Sequence, residues 1–246
     1  MNNKIPKLIH YCWFGGNKKS KLIKKCIDSW KKYCPDYEII EWNEKNFDIN
    51  KNLYIKQAYA SKKWAFVTDY VRLDVVYHYG GIYLDTDVEL IKSLDDLLQY
   101  NAFLASENNK LIATGLGFGA VKNNKIIKLI MDSYKDIPFI SEYDGTMDLT
   151  ACTTRNTTTL EEIYGNLSEK MNSFIDDNVI LLGKEYLCPF DVHTGSMKKT
   201  KNTHGIHWYN ASWRDNKTNI REKLLRPIKR IIGYKNFDML KRMLKK

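Results

Sequence analysis

Asp85 and Asp87 stand one residue apart, directly behind the apolar run Ile82-Tyr83-Leu84. Two ionised carboxylates at that spacing repel each other unless they share a positive charge. A strand end followed by a turn aims both into the crevice at the carboxyl edge of a sheet, where open α/β folds bind ligands. A hard divalent cation suits the pair: Mg²⁺ or Mn²⁺ held by one or two carboxylates plus phosphate oxygens is the usual arrangement in nucleotide chemistry. A bare Asp-x-Asp triplet is a solvated turn in roughly four cases out of five, so its surroundings decide. Upstream, Asp69 and Arg72 lie three apart on a helical stretch and share a face, where they can pair or jointly bind a polyol. An ordinary surface ion pair is the commoner outcome of that spacing.

Such side chains need a scaffold. Residues 5–13 (IPKLIHYCW) read as a buried strand ending at Gly15-Gly16. Residues 18–33 place Leu22, Ile23, Cys26, Ile27 and Trp30 at helical spacing before Pro35, and Tyr37 to Trp42 is a second strand. That strand, helix, strand order favours a parallel α/β sheet. Residues 51–60 and 63–79 read as helices, the second ending at Gly80-Gly81 as a C-cap pair. Ile82 to Leu84 is a short buried strand, with Val88–Ile91, Phe103–Ser106, Gly115–Val121, Val179–Leu182 and Gly205–Tyr209 as further extended segments and Ile126–Tyr134 as a helix. The polar, threonine-rich stretch 141–159 fits no element. No repeat, low-complexity tract or linker is evident.

With this scaffold in place, the run Ala65 to Asp87 resembles the core of the DXD-motif sugar-transferring family that includes the yeast initiating α-mannosyltransferase, bacterial capsular polysaccharide transferases and the catalytic domain of clostridial glucosylating toxins. In that family a helix bearing an aspartate and an arginine leads through Gly-Gly-x-Tyr-x-Asp-x-Asp, here Gly80 to Asp87. Ile9 to Gly16 is similar to the family's opening strand, whose tryptophan stacks on the nucleotide base, and His207 to Trp213 to its closing His…Ser-Trp element. The three blocks fall in order across most of residues 5–213.

The resemblance implies an α/β, GT-A-type nucleotide-sugar-binding fold with a mixed, mainly parallel central sheet over residues 1–213. It further implies retaining transfer of a hexose from a nucleoside diphosphate sugar, UDP-linked, to a glycan acceptor in surface polysaccharide synthesis (capsule or lipopolysaccharide), assisted by Mn²⁺ or Mg²⁺ at the diphosphate. Residue by residue, Asp87 is implied as the direct metal ligand, Asp85 as a contact to ribose and sugar hydroxyls or to the metal through water, and Asp69 with Arg72 as the grip on the donor sugar. Ser212 and Trp213 would hold the diphosphate and Trp13 the base, although Trp13 reads equally well as core. His207 would complete the metal shell, with His204 as the alternative; imidazole suits Mn²⁺ better than Mg²⁺. Thr153, Thr154, Arg155 and Asn156 match nothing, so no acceptor-side group is assigned, while His10, His78, His193, Tyr79 and Tyr83 read as structural. A toxin-like enzyme acting on protein is the alternative within this chemistry, although 246 residues leave no room for delivery domains.

Charge is uneven along the chain. The net charge is +10, and the residues after Trp213 hold twelve basic against three acidic side chains, so that segment accounts for +9 and the body is nearly neutral. In this tail, residues 214–246, Leu224, Leu225, Ile228, Ile231 and Ile232 form a helical stripe flanked by Arg221, Lys223, Arg226, Lys229 and Arg230; Pro227 is tolerable only in the first turn. The pattern suits an anionic membrane surface better than nucleic acid, and would place the protein in the cytoplasm, on the inner face of the membrane, with a lipid-linked acceptor. The plainer alternative packs the stripe on the catalytic domain. A non-catalytic lipid- or nucleic-acid-binding protein would leave Asp85 and Asp87 unexplained. Hydrophobic residues at 43% and aromatics at 13% exclude disorder as the main state. No run approaches the roughly 20 apolar residues of a membrane span. Five scattered cysteines without a CxxC pair predict reduced thiols.

Overall fold

The computed structural model describes residues 4–210, 225–233, 236, 237 and 239. The division expected at residue 213 therefore lies outside the described residues. Strand β1 (Leu8–Cys12) leads to helix α1 (Lys21–Tyr33) and strand β2 (Glu38–Trp42), and β1 and β2 pair in parallel, as a β-α-β unit must. Helices α2 (Leu53–Ala60) and α3 (Trp64–Tyr79) follow, then β3 (Gly81–Tyr83), β4 (Val88–Leu90), β5 (Ala102–Ala105), β6 (Phe118–Ala120), α4 (Lys125–Asp132), α5 (Cys152–Tyr164), β7 (Phe174–Asp176), β8 (Val179–Leu182) and β9 (Gly205–His207). Seven strands form one sheet in the order β2-β1-β3-β6-β5-β8-β7, and β4 with β9 forms a separate ribbon. Five of the seven run the same way; β6 and β7 are reversed, so the sheet is mixed and mainly parallel.

Side-chain alternation divides the core between the two faces of the sheet. Ile9, Tyr11, Ile82, Leu84, Phe103, Ile180 and Leu182 point to the side covered by α1, whose Ile23, Ile27 and Trp30 meet them. Trp30 is fully buried and its indole N–H donates to the Val88 carbonyl at 2.7 Å, so truncating it to alanine should cost about 3–5 kcal/mol. Cys12, Tyr83, Leu104, Phe118, Val179 and Leu181 point to the other side, under α2 to α5. Helix α3 is apolar nearly all round because it packs on β1 and β3 as well as on α2 and α4.

Two glycines connect this helix to the sheet. Gly80 caps α3 at φ +70°, and a Cβ on Gly81, at φ +101°, would sit 2.9 Å from His10 Nε2 and from the Leu8 carbonyl oxygen. Only glycine lets β3 leave the helix so close to β1.

The structure departs from the sequence reading at several places. The strand expected over 115–121 is confined to Phe118–Ala120, and α5 begins inside the unassigned threonine-rich stretch 141–159 and runs past it. A short repeat also exists: the turns Ser141–Thr146 and Asp191–Ser196 share their backbone hydrogen bonds. In each, the first N–H donates to the sixth carbonyl (2.8 and 2.9 Å), and a left-handed glycine, Gly145 or Gly195, donates back to the first (2.9 and 2.7 Å). All five cysteines are free. Among the described residues no helix is long and apolar enough to cross a membrane.

Candidate metal and donor site

Because His10 pairs with Tyr83 in the parallel β1–β3 ladder, the residues after both strands leave at the same edge of the sheet. Asp85 emerges there, its N–H donating to the Gly115 carbonyl at 3.2 Å, and Val88 N–H closes the Asp85–Asp87 turn onto the Asp85 carbonyl at 3.0 Å. Strand β4 then pairs antiparallel with β9, Val88 opposite His207, which carries the imidazole to the carboxylate pair. His207 Nε2 lies 3.1 Å from Asp87 Oδ1. The Asn210 N–H donates to Asp87 Oδ2 at 2.7 Å, and the Trp208 N–H to the Asp87 carbonyl at 3.0 Å.

Helix α3 supplies the second part of the site. Arg72 is almost fully buried, its Nη2 lying 3.1 Å from Asp69 Oδ1 and 3.4 Å from Asp85 Oδ1. The guanidinium is fixed further by the Thr68 carbonyl (3.0 Å) and hydroxyl (3.1 Å), and sits over the Tyr83 ring at 5.1 Å. The Tyr83 hydroxyl donates to the same Asp85 oxygen at 2.9 Å. The Asp69–Arg72 pair is therefore part of a buried network rather than a surface pair, and a buried arginine must be neutralised by such partners.

These contacts set the charges. Burial raises the Asp69 carboxyl to about 6 against the opposing pull of Arg72, and burial likewise raises Asp85. Burial would raise Asp87 too, but the neighbouring His207 and the Asn210 N–H hold it below the usual carboxylate range. Burial would lower His207, and the Asp87 charge outweighs it, so the imidazole is raised.

One ligand atom from each of Asp85, Asp87 and His207 lies within 4.8 Å of the others. Two carboxylates and an imidazole form a donor set suited to Mn²⁺, and His207 Nδ1 is buried without a hydrogen-bond partner among the described residues. The residues fit a divalent cation. His204, the alternative ligand, is elsewhere: its Nδ1 contacts the Ser93 carbonyl at 2.7 Å, its Nε2 lies 3.4 Å from Asp96, and its ring stacks on Tyr186.

Trp13 is half-buried at the exit of β1, on the wall of a concavity of about 600 Å³ that also contains Lys18, Lys19, Lys24, Glu41 and Glu44. Its indole N–H donates to the Asn17 carbonyl at 2.7 Å, and the Lys19 ammonium lies 5.2 Å from its ring. A base stacking on that face has to displace Lys19. A second concavity of about 400 Å³, beside Lys51, Tyr70, Asp132 and Lys135, contains none of these residues. Ser212 and Trp213 lie outside the described residues.

Three neighbours of the site escaped the sequence reading. Tyr83 lay in the Gly-Gly-x-Tyr-x-Asp-x-Asp run itself, but a tyrosine inside an apolar strand looks like packing. A Cβ on Gly115 would stand 2.4 Å from Asp85 Oδ2 and 2.9 Å from Arg72 Nη1, and no local signal marks it. Cys152, at the start of α5, lies close enough to Asp69 for their charges to interact, inside the stretch that had fitted no element.

Comparison with known proteins bears on this region. Residues 20–104 match the family model described as "Glycosyltransferase sugar-binding region containing DXD motif". Asp69, Arg72, Asp85 and Asp87 fall inside the match, Trp13 and His207 outside it. Inositol phosphoceramide mannosyltransferase 3 of Schizosaccharomyces pombe is 36% identical over 107 residues, covering 41% of this chain and 29% of that protein. Mannosyl phosphorylinositol ceramide synthase CSH1 of Saccharomyces cerevisiae is 30% identical over 145 residues, covering 53% and 35%. The chain thus spans about a third of the length of these curated relatives. Among solved structures, the PaToxG glycosyltransferase superposes with a TM-score of 0.47 at 20% identity over 64% of this chain and 68% of that one.

Proposed function

We propose that this chain, which carries the sugar-binding region of the DXD-motif glycosyltransferases, transfers a hexose from a nucleoside diphosphate sugar, UDP-linked, to a glycan acceptor, with retention at the anomeric carbon. The observation that carries the reading is the convergence of Asp85, Asp87 and His207 at the carboxyl edge of the sheet, within the reach of one cation. A divalent cation held there supplies Lewis-acid neutralisation of the diphosphate leaving group without proton transfer.

The remaining work falls to the chain. Asp87, oriented by the Asn210 N–H, offers a charged oxygen to the ion, and His207 offers an imidazole nitrogen once its proton is lost. Arg72 and Tyr83 hold Asp85 by one oxygen, leaving its other oxygen for ion or donor hydroxyl. Asp69, held by Arg72, is the acceptor for a hydroxyl of the donor sugar. Trp13 offers a stacking face to the base. A product role in surface polysaccharide is part of the same proposal.

The names of the yeast relatives favour a second reading of the donor and acceptor, namely mannose delivered to an inositol phosphate head group. The test for both is hydrolysis of a panel of nucleotide sugars, UDP-glucose, UDP-galactose and GDP-mannose among them, with Mn²⁺ and with chelator. Metal-dependent release of one nucleoside diphosphate supports the reading and selects the donor. No hydrolysis of any donor by folded, metal-supplied protein contradicts it.

A further inference from the structure

Residues 225–232 form a helix that touches the body at the second of the two matching turns. Arg226 Nε donates to the Val192 carbonyl at 3.0 Å, and its guanidinium lies 5.3 Å from the Phe190 ring. Phe190 packs on Trp208 at 5.5 Å, and the Trp208 N–H is bonded to the Asp87 carbonyl. The helix is thus seated two side chains from the carboxylate pair.

The inward and outward sides are the reverse of an ordinary surface helix. Lys229 is buried, at 3% exposure, while Ile228 and Ile231 are exposed by 48% and 85%. The alternative in which the isoleucine stripe packs on the body does not hold for these two residues. Exposed isoleucines on a segment carrying +9 of the chain's +10 call for an apolar and negatively charged counterpart.

We propose that this helix docks the protein on an anionic phospholipid bilayer, with Ile228 and Ile231 entering the interface and Arg230 facing the head groups. Charge favours lipid as the occupant: each cation near an anionic surface adds about fivefold in affinity, the segment after Trp213 carries twelve basic against three acidic side chains, and Arg230 is exposed beside the isoleucines. A folded protein partner would require a much larger surface, about 800 Å² per side, than two isoleucines present. Combined with the glycosyl-transfer reading on which this part rests, docking brings the crevice to an acceptor carried in the membrane.

Co-sedimentation with phosphatidylcholine vesicles, with and without phosphatidylglycerol, tests this on the full chain. Binding should require phosphatidylglycerol and weaken with salt. Arg230→Glu should lower it more than about fivefold, and Ile228→Ser/Ile231→Ser about tenfold or more, with donor hydrolysis in solution unchanged in both variants. Vesicle binding without any donor hydrolysis upholds the docking and removes only the glycosyl-transfer reading. Equal binding by the wild type and the isoleucine variant overturns the proposal. So does a concentration-dependent dimer in sedimentation velocity that the isoleucine variant loses, which would assign the face to a second copy of the chain.

Discussion

Arg72 lies 3.4 Å from Asp85 Oδ1, and through that contact a buried helix sets the position of a carboxylate in the open crevice. The guanidinium is fixed by four oxygens, from Asp69, Asp85 and both the backbone and side chain of Thr68, so Asp85 inherits the rigidity of α3. The arrangement leaves no room on its far side, where Gly115 runs past both groups.

Gly115→Ala should therefore displace Asp85 or Arg72, since its Cβ would stand 2.4 Å from a carboxylate oxygen and 2.9 Å from a guanidinium nitrogen. A shift of about 1 Å at a catalytic group costs roughly a hundredfold in rate. Donor hydrolysis at saturating Mn²⁺ should fall by about that factor while the variant stays folded by circular dichroism. Wild-type hydrolysis in this variant would show that Asp85 does not need its observed position.

Trp13→Ala should weaken binding of the donor's nucleoside diphosphate by roughly tenfold or more, because stacking on an aromatic is worth about 1–3 kcal/mol. Calorimetric titration measures it directly. Unchanged affinity in a folded variant would return Trp13 to the role of a core residue packed against the α1 face of the sheet.

The frame and half of the site were legible because their signals are local. The Gly80-Gly81 break, the apolar triplet and the Asp-x-Asp turn lie within eight residues, and period-3.6 patterning marks α1. Helix α5 was not legible, since Leu160 is its one fully buried apolar side chain and the helix is held instead by polar contacts. Asn156 Nδ2 donates to Thr114 Oγ1 at 3.1 Å, and Thr157 Oγ1 accepts the Ile112 N–H at 2.9 Å. Choosing His207 over His204 required the β4–β9 pairing, a register between segments about 120 residues apart that no spacing rule predicts.

His10 should make stability pH-dependent. Its Nδ1 accepts from the Trp42 indole N–H at 3.1 Å, which leaves Nε2 to donate to the Gly80 carbonyl at 2.8 Å, and burial lowers its pKa to about 4. The unfolded chain, with a histidine pKa near 6.5, binds the extra proton first. Stability from this group is thus full above about 6.5 and is lost as pH falls to about 4, by on the order of 3 kcal/mol. Asp69, raised to about 6, acts in the opposite sense between about 6 and 4, so the comparison must be between wild type and His10→Gln. Urea unfolding should show a wild-type advantage that shrinks with acidification; a pH-independent difference would contradict the neutral, buried assignment.

His207 should couple metal binding to a proton. Asp87 holds the imidazole raised, and an ion can use it only when neutral. Mn²⁺ affinity should therefore fall as pH is lowered through the histidine range. Near neutrality, calorimetry in buffers of different ionisation enthalpy should show proton release on binding. His207→Gln should bind Mn²⁺ more weakly and without that release, whereas release of the same size would place the proton on another group.

Donor hydrolysis by Asp87→Asn, compared with wild type in Mn²⁺ and in chelator, tests the central claim most directly. The substitution removes one ligand charge at a partly exposed turn, so the fold should persist while metal-dependent hydrolysis falls by at least about a hundredfold and wild-type hydrolysis disappears in chelator. Full activity of Asp87→Asn in the presence of chelator would contradict a catalytic cation held by Asp85, Asp87 and His207.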